Sequence, residues 1–193
     1  MKKRSFLGTA ALAAALPAIA GTKPAAPSKG PALLTISGAI TRANRGALDP
    51  AFDQMMKKHK ASFTRALTAD FAALLALPAQ TIAPTLEYDA KVHALRGPLL
   101  LDVLAMAGAR IGPETTIVLR AVDGFAATIS AEQARAQGFI VATHLDGQPM
   151  ALGGLGPLWA VFDADRVPAL AAKPLAERFG ACPWALYHIE VLP

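Results

Sequence analysis

Two Asp-Gly pairs, Asp123-Gly124 and Asp146-Gly147, constrain this chain more than any other feature. Each lies between short runs of apolar and β-branched residues: residues 115–121 and 125–129 around the first, residues 139–144 and 148–152 around the second. Asp-Gly in that setting supplies the positive φ angles that a tight hairpin needs. Both regions therefore predict neighbouring strands joined by local turns, which is not a Rossmann alternation.

The remaining segments extend that pattern. Residues 32–40 (ALLTISGAI) read as a first strand, and residues 157–162 and 184–191 as the last two. Residues 80–88 and 91–95 read as strands around a turn at Asp89. Residues 48–58 have helical spacing after Asp49-Pro50. Residues 68–77 read as a short helix with Thr68 as its cap and Pro78 blocking its continuation. Gly97-Pro98 opens a helix over 99–107 that Gly108 ends, and Ser130 caps another short helix. Many strands with short interposed helices predict an α+β fold with mixed or mostly antiparallel sheets.

The N-terminus reads as an address. Lys2, Lys3 and Arg4 precede an uncharged apolar stretch, Phe6 to Leu16, and then Pro17 and Ala18-Ile19-Ala20. This is the layout of a cleavable signal peptide over residues 1–20. The stretch is shorter than the roughly 20 apolar residues of a membrane anchor. Lys3-Arg4-Ser5-Phe6-Leu7 resembles a twin-arginine motif with Lys for the first Arg, and the ordinary secretory route stays open beside it. Residues 21–31, rich in Pro, Gly and Lys, read as a flexible leader, and residues 32–193 as one domain. The expected location is periplasmic, with no membrane span after cleavage. The formal charge of +5 falls to +2 when Lys2, Lys3 and Arg4 leave, because residues 1–20 hold no acid. That is no basis for nucleic-acid binding.

Common catalytic signatures are missing. There is no G-x-S-x-G elbow and no G-x-x-x-x-G-K-[ST] loop. His59, His93, His144 and His188 stand singly, without the i, i+4 partner that would place two imidazoles on one helix face. His93 and His144 read as structural, and no metal ligand is assigned. Gly153-Gly154-Leu155-Gly156-Pro157 offers backbone donors for an anion, but it lacks dinucleotide spacing and reads more simply as a tight strand connection. Cys182 is the one cysteine. Small residues surround it, so it reads as quiet and half-buried.

Taken in order, five blocks resemble the oxidoreductase molybdopterin-binding domain, the fold of sulfite oxidase-like enzymes, in its short exported form. They are residues 34–38 (LTISG), 75–78 (LALP), 96–104 (RGPLLLDVL), 120–125 (RAVDGF), and 145–150 (LDGQPM) joined to 154–159 (GLGPLW). The strand from Trp184 through Ile189 to Val191 closes the domain as in relatives. The resemblance spans most of residues 33–192 and implies a sulfite oxidase-like fold, a molybdopterin (molybdenum) cofactor and redox chemistry on a small substrate. Catalytic members hold the metal with a cysteine ahead of the helix after Gly97. Here residues 80–96 contain none, so no catalytic residue is assigned. Trp159 stands where many relatives have Arg, and Pro183 precedes Trp184 where many have Lys. The resemblance makes Asp123, Gly124, Gly154, Gly156, Pro157 and Trp184 the candidate cofactor contacts. The backbone would donate to the pterin or its phosphate, with Asp123 fixing the turn. Two functions follow: an exported molybdopterin-dependent oxidoreductase with an unknown redox partner, or a periplasmic binding or accessory protein that kept the fold and lost the metal ligand.

Overall fold

The first and last strands lie side by side at the centre of the main sheet. The computed structural model describes residues 30–193. The predicted signal peptide, and the leader as far as residue 29, lie outside the described residues. Strand β1 (Ala32–Gly38) pairs in parallel with the C-terminal strand, and antiparallel with β2 (Ala66–Asp70). Numbering strands along the chain, β5 (Thr116–Ala121), β6 (Ala126–Ser130) and the terminal β11 (Leu186–Leu192) complete a five-stranded sheet in the order β2-β1-β11-β5-β6. β3 (Ala79–Ile82), β4 (Leu95–Pro98), β8 (His144–Leu145) and β9 (Gln148–Pro149) form a second sheet, and β7 (Ile140–Ala142) pairs with β10 (Trp159–Val161). The fold is α+β, with mixed and antiparallel sheets and a few short helices. Among the described residues no helix is long and apolar enough to cross a membrane.

The core lies between the main sheet and the smaller ones. β5 alternates half-buried and buried residues, so Ile117, Leu119 and Ala121 turn inward. Ile117 and Leu119 meet Leu34, Ile36, Ile189 and Val191 in the sheet, while Ala121 backs the pocket described below. Opposite lie Leu100, Val103 and Leu104 of helix α3 (Leu100–Met106) and nearly all of β7 and β10. Phe139 and Phe162 anchor this layer, with ring centroids 4.7 Å apart. The other sheet face is covered by residues 42–63, including helix α1 (Gln54–Lys58). A bulge at Leu186/His188 breaks the alternation of β11. The consecutive residues Tyr187 and His188 both reach this cover: Tyr187 meets His59 and His188 meets Phe63.

Several elements differ from the sequence reading. Thr68 caps nothing; it sits in β2 and bonds Asn44. The cap of helix α2 (Phe71–Leu75) is Asp70, whose Oδ1 accepts from the Ala73 N–H at 2.8 Å. Residues 48–58 are helical only from Gln54, because Asp53 accepts from both Arg45 and the Asp49 N–H and holds the chain in a turn before it. Gly97 and Pro98 belong to β4 and do not open α3. Residues 83–94 form a loop with a single bridge, Thr85 to Val92. Ser130 does cap helix α4 (Ala131–Ala136), accepting from the Gln133 N–H at 2.9 Å.

Candidate functional site

A pocket of about 260 Å³ opens where three segments meet. The loop between β3 and β4 brings Glu87 and Tyr88; the turn between β5 and β6 brings Asp123 and Phe125. The segment leading into β11 brings Phe179, Cys182, Pro183 and Trp184. Two of the segments are held by identifiable hydrogen bonds. Asp123 Oδ1 accepts from the Phe125 N–H at 2.8 Å, and Gly124 takes φ 95°, so the turn closes on its own side chain. The Cys182 carbonyl accepts from the buried Trp159 indole N–H at 2.9 Å, which ties the third segment to the core.

The electrostatics of the lining follow from burial. The Cys182 thiol is buried in the wall, and desolvation pushes it far up, with nearby Glu87 adding to the effect. It is a neutral thiol, more deeply buried than the half-buried residue expected from sequence. The Tyr88 phenol is pushed up to about 12, first by burial and then by the Glu87 carboxylate. Two carboxylates, four aromatic side chains and no Lys, Arg or His line the pocket.

The sequence-assigned residues divide. Asp123 and Trp184 line this pocket. Gly124 lies in the same turn, but a Cβ there would face His59 Nε2 at 3.3 Å. Gly154 lines a separate depression with Leu145, Pro149 and Met150. Gly156 is a packing position: a Cβ would come within 2.5 Å of the Met150 carbonyl carbon. Pro157 follows it through a cis bond. The glycine stretch is the tight connection that its local sequence favoured: Gly154 does not line the pocket of Asp123 and Trp184, although the Leu155 carbonyl beside it accepts from the Ala185 N–H at 3.0 Å. Trp159 is 1% exposed and belongs to the core. Glu87, Tyr88 and Phe179 were missed, since they lie outside any spacing motif; Phe125 was passed over although it closes the 120–125 block beside Asp123-Gly124. The adjacency of Glu87-Tyr88 to the Asp89 turn was the one available signal.

Two other constellations contain histidine. His93 sits between Asp146 at 2.7 Å and Asp89 at 3.1 Å on the surface, and these carboxylates raise its pKa. The second is buried: Ser37 Oγ lies 2.8 Å from His188 Nε2. Arg120 Nη1 donates to His188 Nδ1 at 3.3 Å, so Nε2 carries the proton and donates to Ser37. The ring has no free lone pair toward the hydroxyl, and the pair is not a nucleophile and base. Among the described residues, no group of three or more His, Cys, Asp and Glu side chains converges to hold a metal ion.

His188 yields a pH prediction. Burial, then the charges of Arg120 and Arg45, push its pKa down to about 4, against 6.5 for the unfolded chain. The unfolded state binds more protons between those values, so stability is full above pH 6.5 and falls as pH drops toward 4. The expected loss from this residue is about 3 kcal/mol. Urea unfolding of the protein and of His188→Gln across that range checks it: the variant should show a distinctly flatter pH dependence. Equal slopes would remove His188 as the cause.

Against known proteins, the α+β framework has a distant counterpart. The crystal structure of the sulfane dehydrogenase SoxCD from Paracoccus pantotrophus matches with a TM-score of 0.54 and 11% identity, over 82% of this chain. The chain spans 37% of the matched chain. This likeness is one of fold. No family model and no curated protein matches the sequence.

Proposed function

We propose that this chain is an exported binding protein on a sulfite oxidase-like scaffold, which kept the cofactor-domain fold and uses its pocket for a different small ligand. The observation that carries this reading is the pocket lining. Molybdopterin brings a phosphate and a dithiolene, both anionic, whereas the lining offers Glu87 and Asp123 and no cation. In the family that the sequence resembles, the protein ligand of the metal is a cysteine thiolate. The loop that would carry it presents Glu87 and Tyr88, and Cys182 is a buried neutral thiol. The residues present do not fit the cofactor. The distant likeness to a sulfane dehydrogenase supports the scaffold and leaves its chemistry to the site.

The test is cofactor loading. The full chain, with its own N-terminus, is expressed in a host that makes molybdenum cofactor and purified from the periplasm beside a catalytic relative. Molybdenum and pterin are then quantified per chain. The expected result is a loaded relative and no cofactor on this protein, with a mature N-terminus at Gly21. About one cofactor per chain would overturn the proposal and restore the oxidoreductase reading.

A further inference from the structure

The pocket's composition also specifies its ligand. Tyr88, Phe125 and Trp184 are 54%, 46% and 36% exposed, and all three stand around the same opening. Single exposed aromatics need no explanation, but several on one concave surface mark a binding site. Their ring faces carry negative electrostatic potential and attract a cation held over them. Glu87 on one wall and Asp123 on another add counter-charge, and no basic residue opposes them. Such a lining repels phosphates, carboxylates and other anions.

The kind of cation follows from what the lining lacks. A hard divalent ion needs about six oxygen ligands. Here two carboxylates face an otherwise aromatic and apolar surface, and one Asp123 oxygen is already engaged by the Phe125 N–H. A primary ammonium needs about three acceptors for its three N–H donors, so it would have to draw the three free oxygens of Glu87 and Asp123 together from two separate walls. A cation without N–H groups asks for neither; it needs apolar contact, ring faces and nearby negative charge. The volume of about 260 Å³ is below that of drug-sized sites, about 300 Å³ and above, and suits a small molecule.

We propose that this pocket binds a small quaternary ammonium compound between Tyr88, Phe125 and Trp184, with Glu87 and Asp123 balancing its charge. The assignment rests on the binding-protein reading above. The test is titration of the full mature protein with choline, followed by tryptophan fluorescence and calorimetry. Its neutral carbon isostere, 3,3-dimethylbutan-1-ol, is titrated in parallel. Saturable choline binding is expected with a Kd below about 1 mM, and binding of the isostere about tenfold weaker or worse. Trp184→Ala and Glu87→Gln should each weaken choline about tenfold; the second removes charge with almost no change of shape, so it separates recognition from misfolding. Equal binding of choline and isostere, or no saturable signal with choline, overturns the cation assignment. Either result alongside absent molybdenum leaves the binding-protein reading standing, whereas cofactor loading overturns both.

Discussion

Trp159→Ala is expected to destabilise the fold by about 4 kcal/mol. Trp159 is 1% exposed and among the largest fully buried side chains. It lies between Tyr88 and Phe179, with ring centroids 6.4 and 6.2 Å away. Truncation opens a cavity beneath the pocket and also strips the Cys182 carbonyl of its donor. Trp159→Phe keeps most of the volume and loses the N–H, so it should cost about 1–3 kcal/mol. Urea midpoints at constant m separate the two contributions. A loss below about 1 kcal/mol for the Ala variant would mean that Trp159 is not the keystone of this layer.

Gly97→Ala is expected to cost about 3 kcal/mol or more, although it adds one methyl group. Gly97 is buried in β4, where the chain passes directly over β7. A Cβ there would overlap the Val141 carbonyl oxygen, with the Val141 carbonyl carbon at 2.7 Å and the Ala142 Cα at 2.8 Å. These are backbone atoms of a strand held on its other side by β10, so they cannot turn aside as a side chain can. The two sheets must separate to admit the methyl. Gly46→Ala is the control, because nothing lies within 4 Å of its added Cβ. It should be neutral, or stabilising by about 0.5 kcal/mol through the unfolded state. Thermal and urea unfolding of the pair checks the contrast, and equal effects would refute the packing argument.

Features set by neighbouring residues were readable from sequence. β5, β6 and their Asp123-Gly124 turn follow from β-branched runs around an Asp-Gly pair, and the structure pairs them in register from Thr116 with Ser130 to Arg120 with Ala126. Ser130 caps α4 because its acceptor lies three residues ahead. The readings at Thr68 and Gly97 failed for a common reason. Each carried a plausible local signal, a cap or a helix start, and each was overruled by a strand partner farther away along the chain: Thr35 of β1 for Thr68, Gln80 of β3 for Gly97. Propensity is a weak prior against such pairing.

The site divides the same way. Asp123 and Trp184 were identifiable because they belong to blocks with a recognisable pattern, and both line the pocket. Glu87, Tyr88 and Phe179 could not be found so, since they sit in segments without periodicity. These segments are brought together by ties between residues distant in sequence: the Trp159 indole to the Cys182 carbonyl, and the Val122 N–H to the Ala185 carbonyl at 3.1 Å.

The α+β class and the hairpin turns were thus determined locally, by residue types within a few positions of one another. The joining of the chain's first and last strands, the placing of Gly154 outside the pocket that holds Asp123, and the sign of the pocket's charge were decided only in three dimensions. Strand pairing and pocket potential sum contributions from residues far apart in the chain, and the order of residues does not record which of them meet.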